Sequence, residues 1–532
     1  MPEPYLWWQR GIIYHIYPRS FMDSNGDGVG DLPGITRRLD YLQWLGVDAI
    51  WISPIYPSPM ADFGYDVADY TEIHPLFGTL ADFERLLSEA HRRQLRVILD
   101  YVPNHTSDRH PWFIESRSSR DSPKRHWYLW RDPAPDGSPP NNWLSVFGGG
   151  AWTWDAATGQ YYYHAYLAQQ PDLNWRHAAV QTAMLDVLRF WLQRGVDGFR
   201  LDALRQLVKD DQWRDNPANP LYRPQLGPYA ALLPLYTADQ PEVRDMIAMW
   251  RRLVDRYDAR LLIGELYLPI ERLVTYYGVE GRGVHLPANF HLIRVPWQAR
   301  EIAELIDVYE AALPPGGWPN WVLGNHDQHR VASRIGTTQT RIAALLLLTL
   351  RGTPTLYYGD EVGMHDVVIP PELVQDPWEK NVPGLGLGRD PERTPMQWDS
   401  GLHAGFTTGT PWLPISPDYT LANVESQRAD PTSLLTLYRR LIALRRATPA
   451  LAVGAYTPQE AQGDVLAYMR VAEGERMLIV LNLSHEPQRF EPRSTQIWGQ
   501  VVLSTHLDRE GEQVHSSVAL RADEGVLLTL EP

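Results

Sequence analysis

The sequence predicts an α/β fold, a closed (β/α)8 barrel that carries an inserted domain after its third strand and a small antiparallel β domain at its C-terminal end. Three observations lead there. Strand-like runs alternate with helix-like ones from residue 11 to about 360, the pattern of a parallel sheet covered by helices. The strand-like runs are nearly continuously apolar, as strands buried on both faces must be. There are eight of them, the number that closes a barrel. An open, doubly wound sheet is the alternative that the alternation alone leaves standing.

In chain order the strand candidates are IIYHIY, DAIWISPI, LRVILDYV, VDGFRLDAL, RLLIGELY, VHLPANFHLI, NWVLGNHD and TPTLYYGDE. The first is rich in β-branched and aromatic residues. Helices are predicted over LPGITRRLDYLQWLG and over 79–94, 178–194, 240–257 and 338–350. About 95 residues separate the third strand from the fourth, far more than a crossover helix needs. The stretch 104–173 there is rich in Trp, Tyr, Pro and Gly and reads as the inserted domain. An irregular insert, 361–392, follows the eighth strand, and the helical run LLTLYRRLIALRRATPAL ends the barrel near 450. The predicted division is 1–103 with 174–450 for the barrel, 104–173 for the insert and 451–532 for a C-terminal β-sandwich. DVLAYMRV, RMLIVLNLS and GVLLTLEP are strands of the last.

Composition narrows the function. A net charge of −15 repels phosphate backbones and argues against nucleic acid as a partner. The absence of cysteine excludes disulfides, thiolate metal sites and a Cys nucleophile. The segment MPEPYLWWQRG lacks a basic stretch followed by an apolar one, so a cytoplasmic protein is expected. The longest apolar run, IAALLLLTL, is too short to cross a bilayer and reads as a helix packed inside, with no membrane partner. The 21 Trp and 27 Tyr serve buried cores and sugar-stacking platforms alike.

The loop between the first strand and the first helix is DSNGDGVGD. Oxygen-bearing side chains at alternate positions suit a hard cation, and glycines let the backbone curl around it. An EF-hand would need Glu at the twelfth position, where Gly34 stands, so a calcium sensor is excluded. Either a metal-stabilised βα loop or a Gly/Asp turn without metal remains.

Functional residues of a barrel gather at the C-terminal ends of its strands. The third strand ends in DYVPNHTS, with Asp100 and His105; the fourth in GFRLDAL, with Arg200 and Asp202. The fifth ends in GELY, with Glu265, and the seventh in GNHDQHR, with His326 and Asp327. One carboxylate at a strand end is more often a helix cap, but three converging from three strands form a chemical constellation.

DYVPNHTS, GFRLDAL, IGELY and GNHDQH resemble the four conserved regions of the α-amylase superfamily, glycoside hydrolase family 13. YHIYPRSFMDSNGDGVGDLPGI, QPDLNW and RTPMQWD extend the resemblance towards the α-glucosidase and oligo-1,6-glucosidase branch. The resemblance implies a retaining double displacement with Asp202 as nucleophile, Glu265 as acid and base, and Asp327 gripping the sugar's hydroxyls. Arg200 is expected to keep Asp202 ionised, and a less polar setting to keep Glu265 protonated. His105 and His326 match histidines that hydrogen-bond the same glucose, and Tyr65 a ring that stacks on it. Asp62 and Arg393 are expected to pair at the closed end of the pocket, which makes the enzyme exo-acting. On the loop, Asp23, Asn25, Asp27, Asp31 and the Val29 carbonyl match the ligands of a structural ion, calcium before magnesium, with no redox or organic cofactor.

Ala203, after the nucleophile, matches the small side chain that accompanies α-1,4 linkages, where Val accompanies α-1,6. Maltose and short malto-oligosaccharides are therefore the expected substrates, with glucosyl transfer alongside hydrolysis, in a monomer or homodimer. Phe147 matches the aromatic at the pocket mouth. Tyr166 stands where many relatives have Phe, and 204–239 is long, Pro-rich and unlike them. Rival readings are an oligo-1,6-glucosidase, or a sucrose isomerase, trehalose synthase or transglucosidase on the same scaffold. The sequence holds no RLDRD-type motif of the sucrose isomerases. A non-catalytic relative would carry a membrane helix and lack the carboxylates.

Overall fold

The computed structural model describes residues 5–472, 474–492 and 498–531. Residues 1–4 of MPEPYLWWQRG and Pro532 of GVLLTLEP lie outside the described residues. All eight candidate strands form. They are β1 (Ile13–Ile16), β2 (Ala49–Ile52), β3 (Arg96–Tyr101), β4 (Gly198–Leu201), β5 (Leu261–Gly264), β6 (Leu286–Asn289), β7 (Asn320–Val322) and β8 (Thr353–Tyr357). Each pairs in parallel with its sequence neighbours, and β8 returns to β1 to close the barrel. Every residue of β1, β2, β4 and β5 is buried, which is why these runs carry no polar alternation.

The stretch predicted as one helix after the calcium-like loop is two, Leu32–Arg37 and Leu39–Leu45, broken at Arg38 (φ −100°, ψ 3°). Asp31 caps the first by accepting from the Gly34 amide at 2.6 Å, and Gly46 ends the second at φ +100°. The helix Leu80–Arg92 is set by a capping box, Thr79 accepting from the Asp82 amide and Asp82 from that of Thr79. Its apolar positions Phe83, Leu86, Leu87 and Ala90 recur at helical spacing and face the sheet. Helix Thr340–Thr349, the LLLL segment, is buried at every position but Arg341. It lies between the barrel and the C-terminal sheet, where Gly525 leaves room for Leu345. Burial of each such leucine contributes about 1.5–3 kcal/mol.

Between β3 and β4 the chain builds a three-stranded sheet, Trp130–Arg131, Gln160–Tyr163 and Trp152–Asp155 in spatial order. Trp143, Trp152 and Tyr163 form its core. The unusual segment after β4 docks on this sheet: Trp213 packs 5.5 Å from Trp143, and the Trp143 indole donates to the Arg214 carbonyl. Beyond helix Leu434–Ala447, a six-stranded antiparallel sheet is faced by a two-stranded one, Gln488–Phe490 with Val518–Leu520. Val465, Val480, Phe490, Val518 and Leu528 fill the space between them. No helix among the described residues is long and apolar enough to cross a membrane.

Candidate active site

Register places the chemistry. Asp100 on β3 is the lateral partner of Arg200 on β4, so both side chains share the barrel's interior face. Asp202 lies two residues beyond Arg200 and points the same way. Arg200 is 2% exposed, and its guanidinium meets three carboxylates: Asp100 at 2.9 Å, Asp202 at 2.7 Å and Glu265, just past β5, at 3.0 Å. Asp202 and Glu265 are held on different nitrogens of one planar group.

The backbone completes the arrangement. Ala203 adopts φ +49°, a left-handed turn that aims its amide at the second Glu265 oxygen, 2.8 Å away. Burial raises the Asp202 carboxyl well above its usual range, the charges of Glu265, Asp100 and Asp327 add to this, and Arg200 opposes them. Burial likewise lifts Asp100 to about 6. Arg200 is expected to keep Asp202 ionised, but burial and the neighbouring acids outweigh its charge, and the carboxyl is raised instead. One cation is divided among three acids, an arrangement that favours retaining a proton within the group.

Asp327 follows β7. Burial would raise its carboxyl, but Arg389, Arg393 and Arg200 together hold it below the usual range. Arg393 donates to it at 2.8 Å, and Arg389 lies at 3.2 Å. His326 and His105 are both buried, and desolvation pushes His326 well down and His105 to about 4, so both are neutral. The Tyr65 hydroxyl bridges His326 (2.7 Å) and Asp100 (3.0 Å), and its ring stacks on His326 with centroids 5.3 Å apart.

The expected Asp62–Arg393 pair does not form. Asp62 is engaged by Arg389 at 2.7 Å and by the Gln170 amide at 3.1 Å. Arg393, four residues on, instead donates to the His326 carbonyl and to Asp327. Both arginines stand in GRDPERTPMQW, and the sequence offers nothing to say which reaches Asp62. Arg389 is also fixed by Asp376 at 2.6 Å, a residue of the insert after β8.

These groups line a cavity of about 280 Å³ with Asp62, Tyr65, His105, Asp202, Ala203, Glu265, His326 and Asp327 on its walls. Phe147 and Tyr166 line it too, while Arg200 and Arg393 stand behind the carboxylates. Phe147 lies under the Arg389 guanidinium, 4.7 Å from it, and 5.4 Å from Trp378. The Tyr166 hydroxyl, the atom that distinguishes it from Phe, donates to Gln206 at 2.8 Å. Sequence reasoning missed Gln170, Trp378, Tyr267 and Arg389. It flagged the segment 204–239 without naming Leu226 and Tyr229, which that segment contributes to the cavity wall.

The 23–31 loop folds on itself. Asp23 accepts the amides of Asn25, Gly26 and Gly28, and Asn25 and Asp27 accept those of Asp27 and Val29. Burial acts to raise the Asp23 carboxyl, but the Thr407 hydroxyl and these amides bring it below the usual range. Its all-oxygen donor set fits a hard cation. Among the described residues, however, the His, Asp and Glu trio whose ligand atoms all lie within 4.8 Å of one another is elsewhere, at His329, Asp366 and Glu392.

Comparison with known proteins agrees with the geometry. The family model described as "Alpha amylase, catalytic domain" matches residues 15–454. A probable alpha-glucosidase of Rhizobium meliloti is 44% identical over 95% of this chain and 95% of its own. Among solved structures, an alpha-glucosyl transfer enzyme superposes with TM-score 0.93 at 41% identity, covering 99% of this chain and 100% of that one. The trehalulose synthase of Pseudomonas mesoacidophila superposes with TM-score 0.92 at 34% identity, covering 99% of this chain and 100% of its own. With barrel, strand-end carboxylates and family model in agreement, the chain belongs to the α-amylase family of glycoside hydrolases, family 13.

Proposed function

We propose that this enzyme is an exo-acting, retaining α-glucosidase that releases α-glucose from the non-reducing end of maltose and short α-glucosides. The observation that carries the reading is the Arg200 guanidinium with Asp202 and Glu265 on its two nitrogens, in a cavity walled by Asp62 and Arg389. A retaining pair needs carboxyls about 5–5.5 Å apart, and two acids sharing one guanidinium suit that spacing.

In the first step an Asp202 oxygen attacks the anomeric carbon while Glu265 gives its proton to the leaving oxygen. A β-glucosyl ester forms and the aglycone departs. In the second step Glu265, now a carboxylate, takes a proton from water, whose oxygen displaces Asp202 and restores the α configuration. Asp327, kept ionised by two arginines, accepts hydrogen bonds from the sugar's hydroxyls. Neutral His105 and His326 can donate without adding charge, and the Asp62–Arg389 pair recognises the terminal 4-hydroxyl. Proton NMR of early p-nitrophenyl α-glucoside hydrolysis, where the only glucose released comes from the cleaved bond, should show α-glucose first. First release of the β anomer would refute the retaining mechanism.

The α-1,4 preference rests on Ala203. Glucosyl transfer is a second reading, favoured by Leu226, Tyr229 and Trp378 on the cavity wall, which are suited to shelter an acceptor sugar from water. It is also in keeping with the likeness to an alpha-glucosyl transfer enzyme. Product analysis on concentrated maltose, isomaltose, sucrose and trehalose distinguishes hydrolysis, transfer and isomerisation.

We further propose that Asp23, Asn25, Asp27, Asp31 and the Val29 carbonyl hold a calcium or magnesium ion. That ion pins the loop, whose Asp23 accepts from the Thr407 hydroxyl and donates its amide to the Phe406 carbonyl, and takes no part in catalysis. Chelation should lower the melting temperature, with calcium restoring it in the wild type and failing to do so in Asp27→Ala. The proposed units are 1–103 with 174–450, 104–173 and 451–532, in a cytoplasmic monomer or homodimer.

A further inference from the structure

The geometry points to a second cation site, outside the cavity, in which His329 Nδ1, one Asp366 oxygen and Glu392 Oε2 bind a divalent first-row transition ion of the zinc class. The three ligand atoms lie within 4.8 Å of one another. His329 Nδ1 is 2.9 Å from Asp366 Oδ2 and 3.8 Å from Glu392 Oε2. Glu392 is 1% exposed, yet its Oε2 has no hydrogen-bond partner. A buried carboxylate oxygen left bare costs free energy, and this one faces a histidine and a second acid. Burial, and then the charge of Asp366, raise the Glu392 carboxyl well above its usual range. A cation between them would relieve both effects.

The donors select the ion. One imidazole nitrogen and two carboxylate oxygens suit zinc, nickel or copper, whereas calcium prefers an all-oxygen cage. Asp366 is already oriented, its other oxygen accepting from the Arg330 amide at 2.8 Å. His329 is about half exposed, so the remaining coordination positions open to water. Other charges near the trio are Arg330, Arg334 and Arg393 on the cationic side and Asp327 on the anionic side.

The location gives the site its consequence. His329 lies two residues beyond Asp327, and Glu392 immediately precedes Arg393, which grips Asp327. Asp366 and Glu392 stand near the two ends of the insert that carries Asp376 and Arg389. An ion joining the three ties that insert to the loop after β7.

The test is calorimetric titration of the metal-stripped full chain with zinc chloride at pH 7.5, in calcium sufficient to occupy the 23–31 loop. One zinc per chain is expected, with affinity at least tenfold weaker in His329→Ala and Glu392→Gln and unchanged in Asp27→Asn. Slower hydrogen exchange across 361–392 should accompany zinc in the wild type and in Asp27→Asn, and not in His329→Ala or Glu392→Gln. Failure of the folded wild type to take up zinc would overturn the site, as would uptake unaltered in His329→Ala. Should Glu392→Gln not fold, the half-exposed His329 still decides the matter.

Discussion

Asp100 is one of three carboxylates on Arg200, and its burial to a pKa of about 6 makes it a partner in the site's protonation. In Asp100→Asn one negative charge leaves the cluster, and Arg200 turns more fully to Asp202 and Glu265. Both changes favour the ionised form of the remaining acids. The basic limb of kcat/KM, where the acid form is lost, should therefore move to lower pH by about one unit. An unmoved limb would show that Asp100 does not share the proton. Ala203 carries a different constraint. Its φ of +49° strains a β-branched side chain, and its amide orients Glu265. Ala203→Val should lower kcat on maltose by about tenfold, the effect of some 1.4 kcal/mol lost in the transition state. It should also lower the maltose-to-isomaltose preference. A wild type that strongly prefers isomaltose would contradict the linkage reading. Arg389 holds Asp62, Asp327 and Asp376 at once. Arg389→Lys keeps the charge but loses the planar fork, so KM for maltose should rise about a hundredfold, about 2.7 kcal/mol of binding.

Among the elements, the eight strands were legible because burial on both faces leaves nearly continuous apolar runs. The break at Arg38 was not legible, because the apolar period runs on through it. The clamp failed for a related reason. GRDPERTPMQW offers two arginines one helical turn apart, and only the course of the irregular insert decides that Arg389 reaches Asp62. Residues such as Gln170 and Tyr229 reach the site from loops without periodicity, and no pattern marks them. The loop 104–173 is tied to the barrel by a buried cluster in which Lys209 donates to Asp172 and to the side-chain oxygen of Asn104. Asp172 also accepts from Asn104 and the Ala165 amide. Lys209→Ala leaves a buried carboxylate without its cation and should cost about 3–5 kcal/mol. Urea unfolding measures it, and an unchanged midpoint would mean the pair does not hold the insert in place.

At the scale of the molecule, a rigid barrel supplies register, and long excursions from its C-terminal rim supply enclosure. The segment 104–173 brings His105, Phe147 and Tyr166, 204–239 brings Leu226 and Tyr229, and 361–392 brings Trp378 and Arg389. Such loops on a fixed scaffold let one set of carboxylates serve hydrolysis, transfer or isomerisation. None of the described residues of the C-terminal sheet lines the cavity wall, and the sheet packs instead against helix Thr340–Thr349. The account as a whole depends on Asp202 bonding covalently to glucose. The direct measurement is mass spectrometry of the enzyme after incubation with a fluorinated α-glucosyl fluoride that forms the ester faster than it hydrolyses. The account predicts one added fluoroglucosyl group per chain, on the peptide containing Asp202. A label on another residue, or no label on enzyme that still turns over maltose, would contradict it.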